Sequence, residues 1–164
     1  MTDNKLDVTV MLLGSGQQQY LDHRKQVRTQ IIESGIKNVV IMEEETDKLE
    51  DISLDDKFRR ITNEQNPELY IAFFHNGAPM DGVTFELGWL CCKYHEGGLN
   101  ERLRILTEKG YNWHETTAYV PSLIPKVLKN EFDDSEPYSK ASAVVSKWAL
   151  NFVLGKKKRR RRNS

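Results

Sequence analysis

Pro67-Glu-Leu-Tyr-Ile-Ala-Phe-Phe-His-Asn-Gly-Ala-Pro-Met-Asp-Gly-Val-Thr-Phe-Glu-Leu-Gly-Trp-Leu-Cys-Cys92 is the stretch whose reading decides the fold. Leu69 to Phe74 is a short, almost wholly apolar run rich in β-formers, which reads as a strand buried on both faces. Asn76, Gly77, Pro79, Asp81 and Gly82 then favour a turn. Apolar residues resume from Phe85 to Cys92, densely enough to predict a helix with little exposure. Glu86 is expected in the first turn of that helix, where the positive end of the dipole favours its ionised form. An ionised acid at such a junction is placed to act as a nucleophile or to stabilise a cation.

Strand and helix alternate on either side of this stretch. Val8 to Leu13 reads as a strand ending at Gly14-Ser15-Gly16, and Tyr20 to Ser34 as a helix stopped by Gly35. Val39 to Met42 reads as a second strand, with Glu43-Glu44-Glu45 as its solvated end. Ser53 is an N-cap candidate for a helix running to about Glu64, ahead of Pro67. Leu103 to Leu106 reads as a fourth strand, Lys126 to Phe132 as a fifth, and Tyr138 to Leu154 as a last helix with Trp148 in the core. This order predicts an α/β, flavodoxin-like (Rossmann-like) three-layer sandwich with a five-stranded parallel sheet of order 2-1-3-4-5. In that order the ligand crevice lies beyond the carboxyl ends of strands 1 and 3. Gly14-Ser15-Gly16 and the His75–Glu86 segment would then open into one crevice, with Tyr111 and Trp113 covering the sheet edge.

The 164 residues suit one domain. No apolar run approaches the roughly 20 residues that span a bilayer, and the N-terminus lacks the pattern of a signal peptide. The two cysteines, Cys91 and Cys92, are helix neighbours, suited neither to an ordinary disulfide nor to a metal pair, so a cytoplasmic protein with reduced thiols is expected. The net charge of zero hides a division: removing the seven basic residues Lys156 to Arg162 leaves 24 − 7 = 17 Lys and Arg against 24 Asp and Glu. The reading is therefore an acidic domain over residues 1–155 and a disordered basic tail, 156–164. The tail has three readings: contact with nucleic acid irrespective of sequence, a localisation signal, or folding back on its own acidic body.

Together, the Gly-Ser-Gly loop, the third strand and Asp81-Gly82-Val83-Thr84-Phe85-Glu86-Leu87-Gly88 resemble the nucleoside 2-deoxyribosyltransferase-like family, which includes nucleoside monophosphate N-glycosidases. The resemblance spans about Val8 to Leu106 and is specific only around Asp81–Gly88. It implies that Glu86 is the nucleophile attacking the anomeric carbon and that Asp81 contacts the base or helps it leave. It also implies that Gly14, Ser15, Gly16 and Tyr20 embrace sugar or phosphate. Asp81 stands closer to Glu86 than the transferase pattern places it. TIR-type NAD-cleaving domains, with a glutamate on the helix after the third strand, are a more distant resemblance.

The chemistry fits such residues. Breaking an N-glycosidic bond builds positive charge on the sugar, which a carboxylate stabilises or captures, while a second group protonates the departing base. Asn76 and Gly82 join the candidate binding set, His75 and His114 are secondary candidates for proton transfer, and Arg24 would add charge for a monophosphate. No metal or other cofactor is called for. The expected partner is a nucleoside or nucleotide, and the resemblance implies a homo-oligomer. Two other classes stay open: a non-catalytic nucleotide sensor, and a nucleic-acid-associated protein working through its tail.

Overall fold

Leu69–Phe74 is strand β3, and all six of its side chains are buried at the middle of a parallel sheet. The computed structural model describes residues 5–94, 98–113, 128–132 and 139–162. Strands β1 (Leu6–Leu13) and β2 (Ile36–Ile41) lie on one side of β3 and β4 (Leu103–Glu108) on the other, in the order β2-β1-β3-β4. Leu128–Phe132 (β5) runs parallel to β4 at the far edge. The architecture is α/β with a parallel, flavodoxin-like sheet.

Successive residues of a strand point to opposite faces, so an unbroken apolar run needs cover on both. Helix α1 (Gln18–Glu33) and helix α6 (Ser139–Arg162) cover one face, packing Val27, Ile31 and Trp148 against Val10, Leu12, Ile71 and Phe73. The other face buries Met11, Tyr70, Ala72 and Phe74 under Phe58 of α3 (Leu54–Gln65) and Val83 and Leu87 of α4 (Asp81–Lys93). The local signals hold. Ser53 Oγ accepts from the Asp56 N–H at 3.1 Å to cap α3. Asn66 ends that helix in the left-handed conformation, and Gly35, at φ 105°, follows α1.

Two expectations are corrected. The second strand begins earlier, at Ile36, and ends at Ile41; Met42–Asp47 is a short helix, α2. Its three consecutive glutamates fill a first turn, where the helix dipole favours acids. The basic run is not a disordered tail, since α6 continues through it to Arg162. Lys and Arg are good helix formers, and extending an anchored helix avoids the cost of nucleation. Lys156 Nζ lies 2.6 Å from Glu68 Oε1 and Arg159 Nη2 lies 3.0 Å from Glu101 Oε1, so the run folds back on the acidic body. Glu101 belongs to the short helix α5 (Gly98–Arg102). Among the described residues no helix is long and apolar enough to cross a membrane. His114 and the expected start of the fifth strand at Lys126 lie outside the described residues.

Candidate functional site

Beyond the carboxyl ends of β1 and β3 a cleft of about 390 Å³ opens. Gly14, Ser15, Gly16 and Gln17 form one wall, and Pro79, Asp81, Gly82 and Val83 form the other. Five of the eight predicted site residues, Gly14, Ser15, Gly16, Asp81 and Gly82, thus meet around one opening. Parallel pairing of β1 with β3 brings the two loops together across more than sixty residues of chain.

Beneath the cleft lies a buried charged cluster. Arg24 projects from α1 with no exposed surface; its Nη2 donates to the Ser15 carbonyl at 2.6 Å and lies 3.1 Å from Glu43 Oε2. The Gly14 N–H donates to Glu43 Oε1 at 3.2 Å. The loop after β1 is therefore held by one guanidinium and one carboxylate from two different helices. A Cβ on Gly14 would overlap the Arg24 guanidinium, so glycine is required here by close approach.

Glu86 sits in the same cluster. Only 6 % of it is exposed, and among the described residues Oε2 has no hydrogen-bond partner. Burial raises its pKa well above the ordinary carboxylate value; the Glu43 charge pushes the same way, and Arg24 opposes both. Burial also raises Glu43, but Arg24 and hydrogen bonds to backbone N–H groups counter it. One cation thus serves two acids, and the pKa values of both carboxyls are raised above the ordinary value, that of Glu86 the further. Burial therefore works against the ionised form that a first-turn position would favour. Helix α4 starts at Asp81, so Glu86 is its sixth residue and stands in the second turn, past the strongest part of the dipole.

Glu86, Tyr20 and Asn76 do not line the cleft. Tyr20 stacks on the buried His75 with centroids 4.4 Å apart, and its hydroxyl donates to the Asn76 carbonyl at 3.5 Å. The Asn76 N–H donates to Glu108 Oε2 at 2.5 Å, tying the loop after β3 to the end of β4. These residues brace the site. Tyr111 and Trp113 pack on Phe74, at 5.6 and 5.0 Å, so they cover the end of the central strand rather than the sheet edge. Glu43 is the member that sequence reasoning missed, having been placed at a solvated strand end. A signal existed in its partner: Leu21, Arg24, Val27 and Ile31 are spaced three or four apart, so Arg24 falls on the inward stripe of α1 and needs a buried anion.

No family model matches the sequence. No curated protein sequence matches it either. Among solved structures, the chain is similar to the SEFIR domain of IL-17 receptor B, with TM-score 0.60 and 6 % identity, over 88 % of this chain and 96 % of that one. It is also similar to part of the Francisella novicida lysine decarboxylase LdcF, with TM-score 0.53 and 7 % identity, over 93 % of this chain and 18 % of that one. At such identities the likeness is one of fold. The SEFIR domain is TIR-like, in keeping with the more distant of the two resemblances, and neither structure is a nucleoside deoxyribosyltransferase.

Proposed function

We propose that the cleft takes a nucleoside or nucleotide and that the protein breaks its N-glycosidic bond, by hydrolysis or by transfer, with Glu86 acting in its protonated form. One observation carries this reading: Glu86, a buried carboxyl whose Oε2 has no hydrogen-bond partner among the described residues and whose pKa burial raises, lies one helical turn past the Gly82–Val83 wall. Glu86 follows Gly82 by four residues and Val83 by three, so it shares their helix face, and helical side chains lean toward the N-terminus. That lean carries the side chain toward the Gly82 end of the helix, where Gly82 presents no side chain and a Cβ would meet nothing within 4 Å.

A neutral carboxyl is a weak nucleophile and a serviceable acid, so the electrostatics change the role expected of Glu86. As the base leaves, Glu86 gives it a proton. Asp81, exposed on the cleft wall, faces the cationic sugar, and water or a second base adds to the anomeric carbon, its released proton returning to the Glu86 carboxylate. Backbone N–H groups of Ser15 and Gly16 lie ahead of α1 and suit hydroxyls or a phosphate, while those of Gly14 and Gln17 are taken by Glu43 and Ser15.

The burial of Glu86 away from the cleft lining favours a second reading, a TIR-like module that binds nucleotide without chemistry; a TIR-like NAD glycohydrolase is the catalytic variant of that reading. Incubation with nucleosides, nucleoside monophosphates and NAD, followed by assay for free base, separates them. Release of base that disappears in Glu86→Gln is the expected result. Ligand binding with no release from any substrate supports the sensor, and undiminished release from Glu86→Gln overturns the role given to that residue. Gly82→Ala adds a Cβ to the cleft wall with nothing within 4 Å of it, so it should weaken binding and leave the fold intact.

A further inference from the structure

A second cavity, of about 280 Å³, lies at the other end of the sheet. It opens beside the start of β4, whereas the cleft lies beyond the ends of β1 and β3, and the strands are parallel. Four cations surround it: Arg102, Arg104, Lys156 and Arg159. Two aromatic rings hold three of them in place. Arg104 Cζ stands 4.4 Å from the Trp148 ring centroid, and the Phe152 centroid has Arg102 Cζ at 5.6 Å and Lys156 Nζ at 4.6 Å. Backbone carbonyls hold the arginines further, with Arg102 Nη1 donating to Glu68 O at 3.2 Å and Arg104 Nη1 to Leu103 O at 2.9 Å.

The charges around this hollow do not balance. Glu68 pairs with Lys156 and Glu101 with Arg159, but among the described residues neither Arg102 nor Arg104 pairs with a carboxylate. Four positive charges against two negative leave an excess of two. Burial lowers the Arg104 pKa, the direction expected of a cation drawn out of water with no anion beside it.

We propose that this hollow is an anion site for a small ligand bearing linked phosphoryl groups, free or on a nucleoside. The net positive charge favours an anion, four lining cations offer contacts to more than one phosphoryl group, and guanidinium forks suit phosphoryl oxygens. Cations already occupy faces of both rings, which disfavours base stacking as the basis of recognition. Glu68 and Glu101 stand at its rim and oppose a polynucleotide laid across the opening. The site is independent of the cleft and of the chemistry assigned there.

Calorimetric titration of the full chain with inorganic tripolyphosphate, ATP and a single-stranded oligonucleotide tests this. Saturable one-to-one binding of tripolyphosphate is expected, weakened about tenfold or more by Arg104→Met. Arg159→Gln should weaken it as well, and this side chain is 73 % exposed, so that variant keeps the test free of folding effects. Asp81→Asn in the cleft, and Arg161→Gln with Arg162→Gln beyond the hollow, should leave it unchanged. Equal affinity for tripolyphosphate and ATP identifies phosphate as the recognised group; tighter binding of ATP that is still lost in Arg159→Gln adds the nucleoside to the same site. Absence of tripolyphosphate binding overturns the proposal. So does equal weakening by the Arg161 and Arg162 changes, or binding of the oligonucleotide alone, since either marks diffuse attraction along the helix.

Discussion

Among the described residues Glu86 Oε2 has no hydrogen-bond partner, and the residue is 6 % exposed, so its titration is a direct probe of the site. Below about pH 4.5 the carboxyl is neutral in folded and unfolded chains alike. As pH rises past that value the unfolded chain loses the proton while the folded chain keeps it, so stability falls until the raised folded-state pKa is passed. Glu86→Gln should lack this fall and be the more stable protein at neutral and alkaline pH, as read by urea unfolding across a pH series. If base release is observed, the same change should reduce it by about 10²–10⁴-fold, the usual contribution of a general acid. A wild-type stability that does not decline between mildly acidic and alkaline pH relative to the variant would remove the basis for a protonated acid. At Gly14 the expected effect is steric: Gly14→Ala should cost about 1–3 kcal/mol in chemical denaturation, because the guanidinium it meets is pinned on two sides.

Among the elements, α6 departs furthest from what its sequence suggests. Composition marks Lys156–Arg162 as a solvated run, and although the sequence places Trp148 in the core of the preceding turns, nothing local shows that this anchor, 8 % exposed and donating Nε1–H to the Glu101 carbonyl at 3.2 Å, carries the helix on through the basic residues. Trp148→Ala should therefore cost about 3–5 kcal/mol in thermal or urea unfolding, the loss expected for a buried aromatic. The strands were legible because a buried parallel strand needs an unbroken apolar run, as Leu69–Phe74 has. Their boundaries were less so. Met42 is as apolar as the strand before it, and only the dipole preference of the three following acids marks the change to helix. The start of α4 was misplaced by the same kind of ambiguity: Asp81 and Gly82 have turn-like composition yet occupy its first turn, and this carries Glu86 into the second.

For the molecule as a whole, the meeting of two glycine-bearing loops was readable from strand order alone, since in this topology the crevice follows from the reversal between strands 1 and 3. The buried Arg24–Glu43–Glu86 cluster was not, because each member comes from a different helix and pairing across helices leaves no spacing in the chain. If a nucleotide occupies the cleft, hydrogen exchange with adenosine monophosphate present should slow at the backbone of Gly14–Gln17 and Asp81–Val83 and stay unchanged in the last turns of α6. Protection confined to α6 would instead assign nucleotide binding to the cationic hollow. Parallel strands make the two openings face away from each other. A molecule tethered to an anionic surface through its basic helix would present its cleft outward, so immobilisation and ligand entry need not compete.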